Sequence, residues 1–143
     1  MFERMLFVGL NTTDKNIIKK LIKEYHVGGV ILYSKNYHNY QEMVRLINQI
    51  HTWAQEENYI VLIGIDKEGY RVNRLPKEFA NLKSPFAFRH NLNSITEHAS
   101  IIAHILAKST IHVNFAPVLD IKRFPDNHAI GDRCFGASAK EVI

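Results

Sequence analysis

The chain has 143 residues, of which 46% are hydrophobic and 22% are charged, a composition typical of one soluble globular domain with a hydrophobic core. The net charge of +4 comes from scattered lysines and arginines, and no basic stripe interleaved with aromatic residues indicates a nucleic-acid partner. The single cysteine, Cys134, precludes an internal disulfide, and neither a secretory signal nor a bilayer-spanning apolar run is evident, so we expect a cytoplasmic protein without a membrane partner.

The first apolar run, residues 5–10, predicts a strand that leads into a helix. It ends in Asn-Thr-Thr-Asp, a cluster that favours turns and helix N-caps. Apolar residues then recur at spacings of one, three and four, with lysines on the other faces, so the pattern predicts an amphipathic helix over residues 14–26. The glycine pair Gly28 and Gly29 is expected to end this helix.

The same alternation continues in the next part of the chain. Residues 30–33 form a second apolar run that ends in Ser-Lys-Asn, and a helix is predicted from Tyr40, with an apolar face that reaches Ala54. Residues 60–65 (IVLIGI) then predict a third strand. Its unbroken apolar sequence is typical of a strand buried on both faces, in a parallel sheet that helices cover.

The last part of the chain predicts one further strand between two helices. A long irregular segment follows the third strand, and Ser94 and Glu97 then fit a capping box at the start of a third helix. Residues 111–119 predict a fourth strand with Pro117 at its edge or end, and residues 138–143 predict the beginning of a fourth helix. This βαβαβαβ order requires a parallel sheet with right-handed crossovers.

Charged residues cluster at the point where the third strand ends. Asp66 follows the strand at once, and Lys67, Glu68, Arg71 and Arg74 come within the next eight positions. Because α/β proteins bind ligands at the C-terminal ends of parallel strands, this segment is a candidate site. Asp66 can accept sugar hydroxyls or hold an arginine in a partly dry cleft, or it can serve as a helix N-cap or in a structural salt bridge. Spacing alone leaves these alternatives open.

Two arginines are candidate partners of this carboxylate. Arg74 lies eight residues beyond Asp66, and Arg133 lies in a distant Ile-Gly-Asp-Arg segment. The planar donor fork of arginine suits carboxylates, phosphates and sugar oxygens. A lone arginine in a loop is more often a solvated surface residue. Only the two arginines together therefore favour a binding site.

No metal or cofactor signature is present in the sequence. His98 and His104 are six apart on one predicted helix and therefore point to different faces, and no zinc-ligand spacing occurs. The glycine pair precedes a strand, whereas a dinucleotide fingerprint has its glycines after one. Cys134 has no sequence partner that makes it a nucleophile, so inert packing is favoured. We therefore predict neither a metal ion nor a cofactor.

Five motifs in this order resemble glycoside hydrolase family 3. They are residues 28–33 (GGVILY), 35–38 (KNYH), 65–74 (IDKEGYRVNR), 114–120 (NFAPVLD) and 130–135 (IGDRCF). The likeness runs from the first strand to the end of the chain, and five motifs in register are far more specific than any one of them.

The resemblance implies a TIM-type (β/α)8 barrel with its substrate pocket at the C-terminal ends of the strands. A complete barrel takes about 250 residues, so residues 1–143 are expected to be a truncated N-terminal part with about the first four βα units. The residues that bind the terminal sugar in the family carry over to Asp66, Arg74 and Arg133. The implied activity is retaining hydrolysis of terminal β-linked N-acetylglucosamine in muropeptide-type substrates of peptidoglycan recycling.

Three positions depart from the usual family pattern. Lys67 replaces a glutamine, Tyr70 replaces a glycine and Cys134 replaces a serine. None of these removes a direct sugar ligand, but the side chain of Tyr70 is expected to alter the shape of the loop or the width of the pocket.

The family places its Lys-His pair, its histidine acid/base and its aspartate nucleophile after this region, so we predict no catalytic residue in the chain. Two functions stay open: part of a glycosidase, and a non-catalytic sugar-binding or assembly module derived from one. A half barrel leaves two strand edges and apolar faces uncovered. We therefore expect a C-terminal half or self-association to cover them.

Overall fold

The computed structural model describes residues 2–79, 82–124 and 127–143. The strands are β1 (Phe7–Gly9), β2 (Gly29–Leu32), β3 (Leu62–Ile65), β4 (Lys67–Gly69), β5 (Val72–Asn73) and β6 (Val113–Asn114). The α-helices are α1 (Lys15–Lys23), α2 (Tyr40–Glu56), α3 (Leu92–Lys108) and α4 (Ala139–Val142). Short 3₁₀ helices occupy Phe2–Met5, Ser34–Asn36, Lys77–Phe79, Pro85–Phe88 and Gly131–Arg133.

Four of the strands form one parallel sheet in the order β1-β2-β3-β6. Val30 of β2 lies in register between Val8 of β1 and Ile63 of β3, and Ile65 of β3 pairs with Asn114 of β6. Each strand therefore lies beside the next parallel strand along the chain, with a helical connection between them. The predicted fold class, α/β with a parallel sheet built from about four βα units, is confirmed.

Helices α1 and α2 pack against one face of this sheet. Asp14 caps α1 by accepting the N–H of Asn16 at 2.8 Å, and Asn39 caps α2 by accepting the N–H of Glu42 at 2.9 Å. Both helices carry the apolar stripe that the sequence predicts. The largest fully buried apolar side chains lie in these helices and strands or directly beside the strands, and they are Leu10, Ile18, Ile22, Val30, Leu32, Met43, Ile47, Ile50, Val61, Ile63 and Ile65.

The opposite face of the sheet, which we call the open face, carries two phenylalanine rings over two glycines. Phe7 and Phe115 meet edge to face with their centroids 5.7 Å apart. A Cβ atom at Gly29 would lie 2.4 Å from the ring of Phe7, and one at Gly64 would lie 2.6 Å from the ring of Phe115. The rings are 36% and 42% exposed, and within the described residues neither β1 nor β6 has a strand on its outer side.

Helix α1 is shorter than predicted. It ends at Lys23 and not at residue 26, because His26 turns the chain with a left-handed φ of 49°. The prediction that Gly28 and Gly29 end the helix is wrong. Gly29 begins β2, and a Cβ atom at Gly28 would lie 1.8 Å from the carbonyl oxygen of Arg4, so the glycine allows a close backbone approach.

The start of α3 also differs from the prediction. The expected capping box at Ser94 is wrong, because Asn91 is the N-cap and accepts the N–H of Ser94 at 3.0 Å. Asparagine is at least as good an N-cap as serine, so the helix begins at the earlier of the two polar residues. Ser94 lies inside the first turn.

The regions that flank the candidate site differ from the predicted strands and loops. Of the predicted strand 111–119, only Val113–Asn114 pair in the sheet, flanked by hydrogen bonds from the N–H groups of His112 and Phe115 to carbonyl oxygens of β3 at 2.9 Å each. Pro117 has no N–H to donate and cannot extend this pairing. The segment after β3, predicted to be irregular, begins with the antiparallel hairpin β4–β5. Tyr70 and Arg71 form its turn, and Gly69 and Tyr70 have positive φ values of 107° and 51°. Within the described residues, no helix is long and apolar enough to cross a membrane.

Candidate functional site

Asp66 and Arg74 lie side by side at the C-terminal end of β3, because the β4–β5 hairpin returns the chain to its starting point. The N–H of Arg74 donates to the carbonyl oxygen of Asp66 at 3.1 Å, and Arg74 Nε lies 3.9 Å from Asp66 Oδ2. The side chain of Asp66 is 29% exposed and that of Arg74 is 38% exposed. The alternative that Asp66 caps a helix is wrong, because a hairpin follows it.

Arg74 retains hydrogen-bonding capacity that the described residues do not use. Its Nε is buried and has no hydrogen-bond partner within them, since 3.9 Å is too long for a hydrogen bond. The hydroxyl of Tyr37 donates to the carbonyl oxygen of Arg74 at 2.8 Å and so fixes its backbone. Burial raises the pKa of Tyr37, which keeps that hydroxyl protonated. An oxygen atom from a ligand would satisfy the buried Nε of Arg74.

Arg133 reaches the same hairpin through Glu68. Its Nε and Nη2 donate to the two carboxylate oxygens of Glu68 at 2.8 and 2.7 Å, and Nη1 donates to the carbonyl oxygen of Ala129 at 2.9 Å. The bonds to Glu68 raise the pKa of Arg133, and the charge of Asp66 raises it further.

A second arginine fastens the tip of the hairpin to the loop that carries Arg133. Arg71 Nη2 donates to the carbonyl oxygens of His128, Ala129 and Ile130 at 2.5, 3.1 and 3.1 Å. Nη2 of Arg71 thus contacts three consecutive carbonyl oxygens, and these contacts hold the loop that precedes Arg133 against the hairpin.

Buried polar groups hold the first strand of the hairpin, β4, in place. Lys67 is fully buried, and its Nζ donates to the carbonyl oxygen of Phe79 at 3.1 Å. Asn114 brackets the Lys67 backbone, accepting its N–H and donating to its carbonyl oxygen, each at 2.9 Å. Burial lowers the pKa of Lys67 to about 8. His98 Nε2 lies 3.5 Å from the carbonyl oxygen of Glu68, and burial lowers the pKa of this histidine too.

Tyr70 projects from the hairpin turn and is 57% exposed. Its N–H donates to the carbonyl oxygen of Leu82 at 3.2 Å, which fixes the backbone at this point. Within the described part of the chain, its ring and hydroxyl make no hydrogen bond or ring contact. A bulky residue seldom adopts its left-handed φ of 51°, a conformation that favours glycine.

The structure therefore brings together residues that are far apart in sequence. Asp66 and Arg74 are neighbours, and Arg133 is bound to the same hairpin through Glu68. Their role as sugar ligands stays a prediction. Sequence reasoning missed the supporting roles of Glu68 and Arg71.

A groove of about 980 Å³ lies between α3 and the C-terminal residues, apart from Asp66 and Arg74. Lys67 and His98 line it together with apolar residues such as Ile102 and Leu106, whereas Asp66 and Arg74 do not. Cys134 is fully buried, with Sγ 3.3 Å from the carbonyl oxygen of Gly131, as an inert packing residue would be. In the part of the chain that the structure describes, no group of three His, Cys, Asp or Glu residues could hold a metal ion.

Comparison with known proteins gives a consistent result. The model of the family described as glycosyl hydrolase family 3 N terminal domain matches residues 3–143. A β-hexosaminidase of Tolumonas auensis is 33% identical over 130 residues, and one of Photobacterium profundum is 34% identical over 128 residues. Each alignment covers 87% of this chain and 37% of the relative. The chain thus spans little more than a third of the length of these relatives.

Solved structures agree with the sequence comparison. A glycoside hydrolase family 3 β-N-acetylglucosaminidase of Paenibacillus sp. superposes with a TM-score of 0.85 at 32% identity, covering 98% of this chain and 27% of that one. A family 3 glycosyl hydrolase of Mycobacterium smegmatis, at 24% identity and a TM-score of 0.82, shares the fold over 99% of this chain and 42% of its own. With a family match over nearly its whole length and two relatives above 30% identity, the chain belongs to glycoside hydrolase family 3, to the N-terminal domain of that family.

Proposed function

We propose that this chain contributes the sugar-binding part of a β-N-acetylhexosaminidase that removes terminal β-linked N-acetylglucosamine from muropeptide-type substrates. The proposal includes a cytoplasmic role in peptidoglycan recycling, which the family resemblance and the single Cys134 support. It treats residues 1–143 as the N-terminal part of a (β/α)8 barrel.

One observation carries the proposal: a partly exposed carboxylate, Asp66, lies beside a buried guanidinium Nε of Arg74 that lacks a hydrogen-bond partner within the described residues. A saturated structural ion pair would have closed this distance to less than about 3 Å. A sugar hydroxyl can both donate to the carboxylate and accept from the guanidinium, so a pair held 3.9 Å apart suits a polyhydroxylated ligand.

Arg133 can extend the same recognition. Its three hydrogen bonds to Glu68 and Ala129 leave two of its five N–H groups for a ligand. Glu68 offsets its charge and fixes its orientation, so an oxygen of the sugar would meet a donor that is already in position.

The chemical step belongs to residues that we place outside this chain. In the family that it resembles, an aspartate nucleophile forms a glycosyl-enzyme and a histidine acts as acid and base, and both follow the region that corresponds to residues 1–143. Here Asp66, Arg74 and Arg133 would hold the terminal sugar in the orientation that this attack requires.

Calorimetry with N-acetylglucosamine tests the binding site. Asp66→Asn keeps the size of the side chain and removes its charge, so we expect binding to weaken roughly tenfold or more, as for loss of a hydrogen bond to a charged group. Glu97→Gln removes an exposed carboxylate of α3 and is the matched control. No measurable binding by the unaltered chain, or equal binding by Asp66→Asn, would contradict the proposal.

Release of a chromophore from an aryl β-N-acetylglucosaminide tests whether the residues for the chemical step lie outside this chain. We expect no release by the 143-residue chain and measurable release after fusion to the remaining C-terminal portion of the Tolumonas auensis β-hexosaminidase. Clear activity of the chain alone would show that the nucleophile has been placed wrongly.

The same residues allow a second function, a non-catalytic sugar-binding or assembly module. The observation that favours it is that Asp66, Arg74 and Arg133 are all present and preorganised within one short chain. It predicts binding of N-acetylglucosamine by the chain, and it differs from the first function in predicting an inactive fusion protein.

A further inference from the structure

We propose that Tyr70 is a specificity-determining residue whose ring stacks against the second sugar ring of a β-linked substrate, next to the terminal sugar held by Asp66 and Arg74. The inference rests on the proposed function and extends it from the terminal sugar to its neighbour.

The position of Tyr70 along the hairpin is the first argument. Asp66 and Arg74 flank the base of the β4–β5 hairpin, and Tyr70 lies in its turn. The three residues of β4, at ~3.3 Å per residue, separate the turn from the base by ~10 Å, which is comparable with the length of a disaccharide. A sugar chain that runs from base to turn therefore brings its second ring to Tyr70.

The exposed ring is the second argument. Tyr70 is 57% exposed and its ring contacts no aromatic or cationic side chain within the described residues. The apolar face of a pyranose ring stacks on an aromatic ring of this kind, as other flat apolar surfaces do. Asp66 and Arg74 make the base of the hairpin polar. The ring of Tyr70 at the turn therefore offers the apolar contact that the base lacks.

The rigid, strained backbone is the third argument. The left-handed φ of 51° favours glycine at this position, and strained residues of this kind cluster at functional sites. The strain cannot relax easily, because Arg71 fastens the turn to three carbonyl groups and Leu82 accepts the N–H of Tyr70. The ring is thus presented at a fixed place before any sugar arrives, which lowers the entropic cost of binding.

Calorimetry with N-acetylglucosamine and its β-linked dimer, N,N′-diacetylchitobiose, tests the inference. We expect the unaltered chain to bind the dimer roughly 3- to 10-fold more tightly than the monosaccharide, the gain typical of one aromatic contact. Tyr70→Gly should remove this difference, whereas Tyr70→Phe should retain it. Because glycine suits the backbone conformation, Tyr70→Gly should also unfold at a higher denaturant concentration.

Tyr25→Ala is the matched control, since this tyrosine is 51% exposed but follows α1, at the other end of the sheet from Asp66. NMR adds a direct readout, because ring currents of Tyr70 should shift protons of the second sugar upfield, and Tyr70→Gly should abolish the shift. Equal affinity of the unaltered chain for both sugars, or an affinity difference that survives in Tyr70→Gly, would overturn the inference alone. Failure of the unaltered chain to bind the monosaccharide would overturn the proposed function and this inference with it.

Discussion

The side chain of Glu68 is only 5% exposed, and its two oxygens both accept hydrogen bonds from Arg133. Such a pair gives little net stability when complete, but removal of one partner leaves a desolvated charge. The sequence shows the two residues 65 positions apart, and neither spacing nor composition links them. Their pairing depends on the fold, which is why sequence reasoning found Arg133 as a candidate ligand and not its support.

We expect Glu68→Gln to lower the free energy of unfolding by about 1–3 kcal/mol, because one of the two charge-assisted bonds to Arg133 is lost. Binding of N-acetylglucosamine should weaken as well, since Arg133 loses its fixed orientation. Urea denaturation followed by circular dichroism measures the first effect. Asp132→Asn, which removes the more exposed ion pair with Lys122, is the control and should cost less than about 1 kcal/mol. Equal effects of the two substitutions would refute this role for Glu68.

Lys67 makes stability depend on pH. Burial lowers its pKa from 10.5 to about 8, so between these values the unfolded chain binds more protons than the folded one. Stability from this group therefore rises as the pH increases from about 8 to about 10.5, and the full penalty remains below pH 8. We expect Lys67→Met to be the more stable form near neutral pH and to lose this advantage near pH 10.

Urea midpoints of both forms across this pH range give the measurement, and the difference between the forms isolates Lys67 from other titrating groups. Lys19→Met, at an exposed position of α1, is the matched control for the loss of a lysine. A constant difference between Lys67→Met and the unaltered chain at all pH values would contradict the prediction. The family resemblance marked Lys67 as a departure, but its burial under the hairpin is a tertiary feature that no local pattern reveals.

At the scale of elements, apolar periodicity predicted α1, α2, α3 and the strands of the parallel sheet, because their apolar stripes face the same core. The β4–β5 hairpin was not predicted, since Lys67 and Glu68 do not look like strand residues and their burial depends on distant partners. Helix ends were the other error. Where two good N-caps occur close together, as Asn91 and Ser94 do, the pattern does not decide between them.

The structure makes the N-cap of α3 a testable point. Asn91→Ala removes the oxygen that accepts the N–H of Ser94, so we expect a loss of about 1 kcal/mol in the free energy of unfolding. Ser94 lies inside the first turn and its side chain caps nothing, so Ser94→Ala should leave the free energy of unfolding unchanged or raise it slightly, because alanine has the higher helix propensity. Chemical denaturation of both variants measures the difference. A larger effect of Ser94→Ala would restore the capping box that the sequence suggested.

At the scale of the whole molecule, the sheet has one covered face and one open face. The open face exposes Phe7 and Phe115, and β1 and β6 have free outer edges within the described residues. Apolar surface and unpaired edges of this kind promote association. The fold class followed from the βα alternation, whereas the exact extent of the open face required the positions of the rings over Gly29 and Gly64.

We expect the 143-residue chain to self-associate with rising concentration when expressed alone. Analytical ultracentrifugation measures this, and Phe7→Glu on the open face should shift the population toward monomer. Ile17→Glu, which charges an exposed position of α1 that is 51% accessible, is the control and should have little effect. A monomeric species with a cooperative thermal transition at all concentrations would refute the expectation.

The strand order β1-β2-β3-β6 has a consequence for synthesis on the ribosome. Because every strand of the parallel sheet pairs with the parallel strand made just before it, each new βα unit leaves the exit tunnel after the strand on which it docks. The sheet can therefore grow one strand at a time in the direction of translation, with its newest edge always the one that receives the next strand. Residues such as Asp66, Glu68 and Arg74 would emerge together on one hairpin, and the arrival of Arg133 would complete their arrangement last.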